Sequence, residues 1–327
     1  MPKNTLVVTR RLPQEVESRI TRDYVARFNA EDRLYSSDEL IDISAGADAL
    51  LITQQDVMDA GVLSHLPSSV RVIATLSAGF DHINLAAAAA RKIEVTNTPD
   101  VVTDATADIA ILLLLAASRR ASEGEQLVRS GNWRDPKPTE LLGWQLSSKV
   151  LGIYGMGRIG FAVAERARAF RMSIHYTNLH RLSPELERGA VFHADARDLL
   201  ANSPFLTLHA PGTKETAHFL NAKTIELLPQ GAVVVNAARG SLVDDDALIQ
   251  ALRSGRIAAA GLDVYNGEPN INPGYRTLPN VFLLPHLGTA TIETRIRIGM
   301  RALDNLDAAL ACKTPEDLLT PGDATSH

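Results

Sequence analysis

Short apolar runs alternate with stretches of helical spacing along this chain, and that alternation sets the fold class before any single residue does. Residues 6–9, 49–53, 70–76 and 93–97 read as buried strands, with helices over 13–24, 57–66 and 85–91 between them. Pro99 interrupts the rhythm. Thr103-Asp104 then caps an expected helix over 105–120 that is apolar on most sides and is expected to lie buried between domains. Residues 122–148 carry no clear period and read as an irregular arm, with Trp133 and Trp144, suited to packing on another subunit. A second series of strands follows at 150–154, 173–177, 191–192, 205–209, 232–237, 259–264 and 281–284, with helices in most gaps, one of them over 245–254. A long amphipathic helix over 291–311 closes the chain and is expected to return to the first domain.

Strands alternating with helices imply parallel sheets covered on both faces. The fold class expected is therefore α/β with two domains. Residues 99–289 form a Rossmann-type doubly wound sheet, and residues 1–98 with 290–327 form a discontinuous, flavodoxin-like substrate domain. A chain of 327 residues is long enough for two domains of ordinary size.

Charge and cysteine content narrow the partners. The net charge is −5 with both signs interspersed, which argues against nucleic acid and against an anionic membrane surface. The single cysteine, Cys312, excludes an intrachain disulfide, and no His, Cys or carboxylate group has the spacing of a metal site. The start of the chain has no apolar signal region, and the longest apolar run, 109–117, is too short to span a bilayer. A soluble, cytoplasmic protein is expected.

The densest chemical signal is Gly155-Met156-Gly157-Arg158-Ile159-Gly160, placed directly after an apolar strand and opening a helix. The first glycine permits the tight turn, the second lets backbone approach a pyrophosphate, and the third lets helix pack close on strand. The N–H groups at the helix start supply the anion site. Other chemistry-bearing stretches sit where strands end: Leu76-Ser77-Ala78-Gly79, His209-Ala210-Pro211, Ala237-Ala238-Arg239-Gly240, Asp263 to Glu268-Pro269, and Pro285-His286-Leu287-Gly288. Ligands bind beyond the carboxyl ends of strands in open parallel sheets, so these stretches converge if the fold reading holds.

In their order and spacing these pieces, with Thr103-Asp104-Ala105-Thr106-Ala107-Asp108, resemble the D-isomer-specific 2-hydroxyacid dehydrogenase family over about residues 75 to 305. The tail from Pro285 to Arg295 resembles the branch that reduces glyoxylate, hydroxypyruvate and 2-ketoaldonates. The resemblance implies a triad of Arg239, Glu268 and His286. His286 would give a proton to the keto oxygen, Glu268 would orient its ring, and Arg239 would grip the substrate carboxylate. Backbone groups of Leu76, Ser77, Ala78 and Gly79 would hold the other side of that carboxylate. Cofactor contacts are implied for Thr106, for the glycine loop, for His209, Ala210 and Pro211, for Ala237 and Ala238, and for Asp263 and Gly288. It also implies a domain cleft that closes on the substrate, a D-2-hydroxy acid product and a homodimer paired through the nucleotide domain.

The choice of nicotinamide cofactor turns on the end of the second Rossmann strand. An NAD enzyme usually places a carboxylate there, about 20 residues after the glycines, to bind the ribose hydroxyls. Here the stretch reads Asn178-Leu179-His180-Arg181 and holds no carboxylate. Asn178, His180 and Arg181 would favour a 2′-phosphate, so NADP(H) is expected ahead of NAD(H). Within the family, phosphoglycerate dehydrogenase is disfavoured by the short tail and formate dehydrogenase by its lack of a keto substrate. Outside enzyme function, the same scaffold serves NAD-sensing corepressors, and turnover separates the two readings.

Overall fold

The computed structural model describes residues 3–135 and 137–325. They form two compact units, residues 3–102 with 289–325, and the described residues of 103–288. In the first unit the order is β1 (Thr5–Val8), α1 (Gln14–Asp23), β2 (Val25–Phe28), α2 (Ser37–Ile43), β3 (Ala49–Ile52), α3 (Ala60–His65), β4 (Val72–Thr75), α4 (Leu85–Ala90) and β5 (Glu94–Thr96). The second unit runs α5 (Thr103–Ser118), α6 (Ala121–Arg129), β6 (Val150–Tyr154), α7 (Arg158–Ala169), β7 (Ser173–Thr177), α8 (Pro184–Glu187), β8 (Val191–Phe192), α9 (Ala196–Ala201), β9 (Phe205–Leu208), α10 (Ala222–Ile225), β10 (Ala232–Asn236), α11 (Asp245–Ser254), β11 (Ile257–Leu262) and β12 (Val281–Leu283). The chain then returns to the first unit with α12 (Ile292–Leu310) and β13 (Leu318–Leu319).

The first sheet has the order β13-β5-β4-β3-β1-β2, parallel except for β13, which pairs antiparallel with β5. Its inner strands β3 and β4 are buried throughout, which is why they read as continuous apolar runs. Helix α12 covers one face. Its Ile298, Ala302, Leu303 and Leu306 pack in one core cluster with Leu6, Val8, Val16 and Ile20. The approach of α12 to α1 is close, since a Cβ on Gly299 would lie 2.6 Å from Val16.

The second sheet is parallel throughout, in the order β12-β11-β10-β9-β6-β7-β8. The order reverses direction between β6 and β9, the switch point at which ligands bind in doubly wound sheets. Helix α5 and helix α7 pack together on one face, and Arg166 of α7 ties them by reaching Asp104 at 3.0 Å and Asp108 at 2.7 Å.

Several expectations need correction. The stretch 122–148 is not irregular throughout, because α6 occupies Ala121–Arg129. None of the α6 residues is buried, so its apolar positions make no strong core pattern. Helix α5 begins at Thr103 rather than after an Asp104 cap. Asp104 sits in the first turn and is turned to Arg166. Strand β2 escapes a reading by periodicity because it is a mostly exposed edge. Among the described residues no helix is long and apolar enough to cross a membrane.

Candidate active site

The glycine loop is built as a phosphate cradle. Gly155 has φ of +92°, and a Cβ there would lie 2.6 Å from the Ala210 nitrogen, so only glycine fits this turn. A Cβ on Gly160 would lie 2.5 Å from the Gly155 oxygen, which lets α7 start directly against the loop. At Gly157 a Cβ would meet nothing within 4 Å. Gly157 is also the N-cap of α7, and no side chain caps that helix start. Open space before an uncapped helix N-terminus fits a dinucleotide pyrophosphate. Met156 buries its side chain, and its N–H donates to Asn178 Oδ1 at 2.6 Å.

Three loops at the ends of β10, β11 and β12 carry Arg239, Glu268 and His286. His286 Nδ1 lies 2.7 Å from Glu268 Oε2. A carboxylate only accepts, so Nδ1 carries the proton and Nε2 is the atom able to exchange one. Glu268 Oε1 accepts from the Tyr265 N–H at 2.7 Å, which fixes the carboxylate from its other side. Burial pushes the Glu268 carboxyl up, but the His286 hydrogen bond, the Tyr265 amide and the Arg239 charge outweigh it and hold the group below its ordinary value. Glu268 is therefore a carboxylate at neutral pH.

Asp263, fully buried, forms the turn that presents His286. Its Oδ1 accepts from the Leu287 N–H at 2.6 Å and its Oδ2 from the Gly288 N–H at 2.8 Å. Its carbonyl accepts from the His286 N–H at 2.9 Å. Burial is the larger influence on Asp263 and raises its pKa, against the opposing pull of those amides and of His286. Thr106 Oγ1 donates to the Gly288 oxygen at 3.4 Å. Gly240 brings the Arg239 loop onto the Glu268 loop, since a Cβ there would lie 2.0 Å from the Tyr265 carbonyl carbon. The Arg239 backbone is held by Asn236 Nδ2 donating to its oxygen at 2.8 Å.

A family model described as the NAD-binding domain of D-isomer-specific 2-hydroxyacid dehydrogenases matches residues 111–288. A glycerate dehydrogenase of Hyphomicrobium methylovorum is 46% identical over 94% of this chain and 96% of its own length. A glyoxylate reductase of Thermococcus litoralis is 39% identical over 99% of both chains. The chain belongs to the D-isomer-specific 2-hydroxyacid dehydrogenase family. An NADPH-dependent glyoxylate/hydroxypyruvate reductase of Sinorhizobium meliloti, solved with NADP and malonate, is similar at 30% identity and a TM-score of 0.86, covering 98% of this chain and 97% of its own.

In this D-2-hydroxyacid dehydrogenase the other expected site residues divide. Ala210 packs on Gly155, and the carbonyl of Pro211 accepts from Thr216 at 2.6 Å, so this loop borders the glycine loop through its backbone. The His209 ring is turned to Thr207, with Nε2 at 2.8 Å, and burial lowers its pKa to about 4. It stays neutral. Ala237 is buried in the core cluster beside Ile153 and Val235, and Ala238 donates its N–H to Asn236 at 3.1 Å. Arg158 and His180 are exposed, while Ile159 leans on the core.

Three expectations change. The Leu76 N–H donates to the Ile52 oxygen at 2.8 Å as part of the sheet, so it is not available to a substrate. Asn178 is turned toward Met156 with both ends of its amide, its Nδ2 reaching the Met156 oxygen at 3.3 Å. Arg181 is not alone either. It makes a two-point ion pair with Glu187, 2.7 Å from Nε to Oε1 and 3.0 Å from Nη2 to Oε2. The Tyr176 hydroxyl also donates to Glu187 at 2.7 Å, and the Arg181 pairing and this bond hold the buried carboxyl down at about 2. Glu187 escaped the reading because a Glu within a polar stretch normally faces solvent. The only sequence signal was its place one turn before the buried Ala190.

Glu268 accepts from His286 Nδ1 and so leaves Nε2 as the atom that exchanges a proton. Glu268→Gln removes the carboxylate and keeps the shape. Stopped-flow reduction at neutral pH is expected to show kcat at least about tenfold below wild type while reduced cofactor still binds. An unchanged kcat would show that Glu268 does not act through His286.

Proposed function

We propose that this dehydrogenase reduces small 2-oxo acids, glyoxylate and hydroxypyruvate foremost, to D-2-hydroxy acids. The observation that carries the reading is the His286–Glu268 pair, 2.7 Å apart, with Arg239 close enough to lower the Glu268 pKa. A bound dihydronicotinamide supplies hydride to the keto carbon. His286 Nε2 gives the proton to the keto oxygen, and the Glu268 carboxylate steadies the imidazolium before that transfer. Arg239 binds the carboxylate through its planar fork and polarises the carbonyl. Ser77, Ala78 and Gly79 are assigned as further backbone donors to the carboxylate. The names of the glycerate and glyoxylate relatives support the substrate class.

NADP(H) is the favoured cofactor in this reading. The stretch Asn178 to Arg181 after β7 contains no carboxylate of its own, and Arg181 is exposed and keeps N–H groups beyond its bonds to Glu187. The NADPH-dependent relative lends support. Glu187 favours use of NAD(H) as well, because it already neutralises much of the Arg181 charge.

A homodimer through the nucleotide unit is also proposed. Helix α6 has no buried residue, and Val128, Trp133 and Leu142 are each more than half exposed at 59%, 55% and 62%. Apolar exposure of that extent on one arm suits a partner subunit. Light scattering after size exclusion is expected to give twice the mass of one chain, and a monomer would overturn this proposal.

His286→Ala is expected to lower kcat for glyoxylate reduction by about a thousandfold while reduced cofactor still binds, read by fluorescence titration. Turnover near the wild-type level would remove His286 from the mechanism. Arg181→Ala is expected to raise KM for NADPH about tenfold and to leave KM for NADH within about twofold. Equal effects on both cofactors would mean that Arg181 does not face the 2′-phosphate.

A further inference from the structure

The loop after β4 holds a hydrogen-bond chain whose direction can be worked out. Ser77 Oγ lies 2.7 Å from the Gly79 carbonyl oxygen and 2.8 Å from Thr75 Oγ1. A carbonyl only accepts, so the single Ser77 hydroxyl proton goes to Gly79. Toward Thr75 the Ser77 oxygen must then accept, and Thr75 spends its own proton there. Thr75 Oγ1 also lies 3.0 Å from His82 Nε2. With the Thr75 proton already committed, His82 must donate, so its Nε2 carries hydrogen. The order is His82 Nε2–H to Thr75, Thr75 O–H to Ser77, Ser77 O–H to the Gly79 carbonyl.

The same loop has its other carbonyls tied down. The Ser77 oxygen accepts from the Thr98 N–H at 3.0 Å, and the Ala78 oxygen accepts from Asn97 Nδ2 at 2.6 Å. Thr75 and Asn97 are buried. Among the described residues the N–H groups of Ser77, Ala78 and Gly79 have no acceptor, while all three carbonyls accept a hydrogen bond. The tied Ser77 and Ala78 carbonyls hold the peptide planes that carry the Ala78 and Gly79 N–H groups, and successive unspent amides of this kind suit an anion.

We infer that His82 is a positioning residue for the substrate carboxylate. It heads the chain that pins the Gly79 carbonyl to the Ser77 side chain and so braces the loop that carries the amides of Ser77 to Gly79. This rests on the proposed substrate role of that loop. The chain is directional and strengthens along its length, because each donor is polarised by the bond it accepts. His82 touches no reacting atom. Its effect falls on binding of the 2-oxo acid rather than on hydride transfer or cofactor binding.

The test is a set of variants of the full-length enzyme assayed with glyoxylate. His82→Phe is expected to raise KM for glyoxylate about tenfold, with kcat and KM for reduced cofactor within about twofold. His82→Gln keeps an N–H donor at similar reach and is expected to stay within about threefold of wild type. Thr75→Val, a near-isosteric break in the chain, is expected to match His82→Phe, and the double variant is expected to be no worse than either single. If His82→Phe does not fold, Thr75→Val and His82→Gln carry the test alone. Unchanged KM in His82→Phe and Thr75→Val, or effects that multiply in the double variant, would overturn the inference. Addition of oxamate, a carboxylate-bearing analogue of 2-oxo acids, separates the two levels. If it moves none of the Ser77, Ala78 and Gly79 amide resonances, the substrate role of the loop fails. If it moves them while both variants keep the wild-type KM, only the positioning role of His82 fails.

Discussion

The buried carboxylate of Asp263 is the point on which the reactive geometry depends. It lies just past β11, and both oxygens are spent on the N–H groups of Leu287 and Gly288. Those bonds fold the segment after β12 into a turn that places His286 beside Glu268. A buried carboxylate without partners would be costly, so the turn and the acid stabilise one another. Tyr265 adds to this by donating its hydroxyl to the Leu284 oxygen at 2.8 Å and its N–H to Glu268. The His286–Glu268 pair is thus held by groups anchored to the sheet rather than by a free loop.

The two sheets contribute in the same manner, each by what happens at a strand's carboxyl end. Beyond β6 a glycine turn leaves a helix N-terminus uncapped. Beyond β4 three carbonyls accept hydrogen bonds and the amides of Ser77, Ala78 and Gly79 have no acceptor among the described residues. In both places side chains fix the backbone. Asn178 does so for Met156, and Ser77 does so for Gly79.

Much of this was legible in the sequence, and the exceptions have physical causes. The strands were readable where they are buried on both faces, as in β3, β4, β9 and β10. The exposed edge β2 and the solvent-facing α6 were not, because neither buries an apolar stripe. The ordered motifs singled out Glu268 and His286, which the structure sets 2.7 Å apart. What holds them was not legible, since Asp263 gripping Leu287 and Gly288 depends on register between β11 and β12. Glu187 was hidden for a related reason. Its partner Arg181 is close in sequence, but nothing in the spacing says that the acid is buried. The His82 chain depends on counting protons across residues whose contacts only the folded loop supplies.

The first unit is not contiguous in the chain. Its core cluster needs Ile298, Ala302, Leu303 and Leu306 of α12 against Leu6, Val8 and Val16 of the first strand and helix. A nascent chain leaving the ribosome presents those early residues long before their partners exist. The second unit, Thr103–Gly288, is whole as soon as β12 and its following turn have emerged. Completion during synthesis is therefore out of sequence order, with the nucleotide unit closing its core first. Until α12 emerges, the sheet face it covers is bare apolar surface, which makes that interval the period of greatest exposure to chaperones.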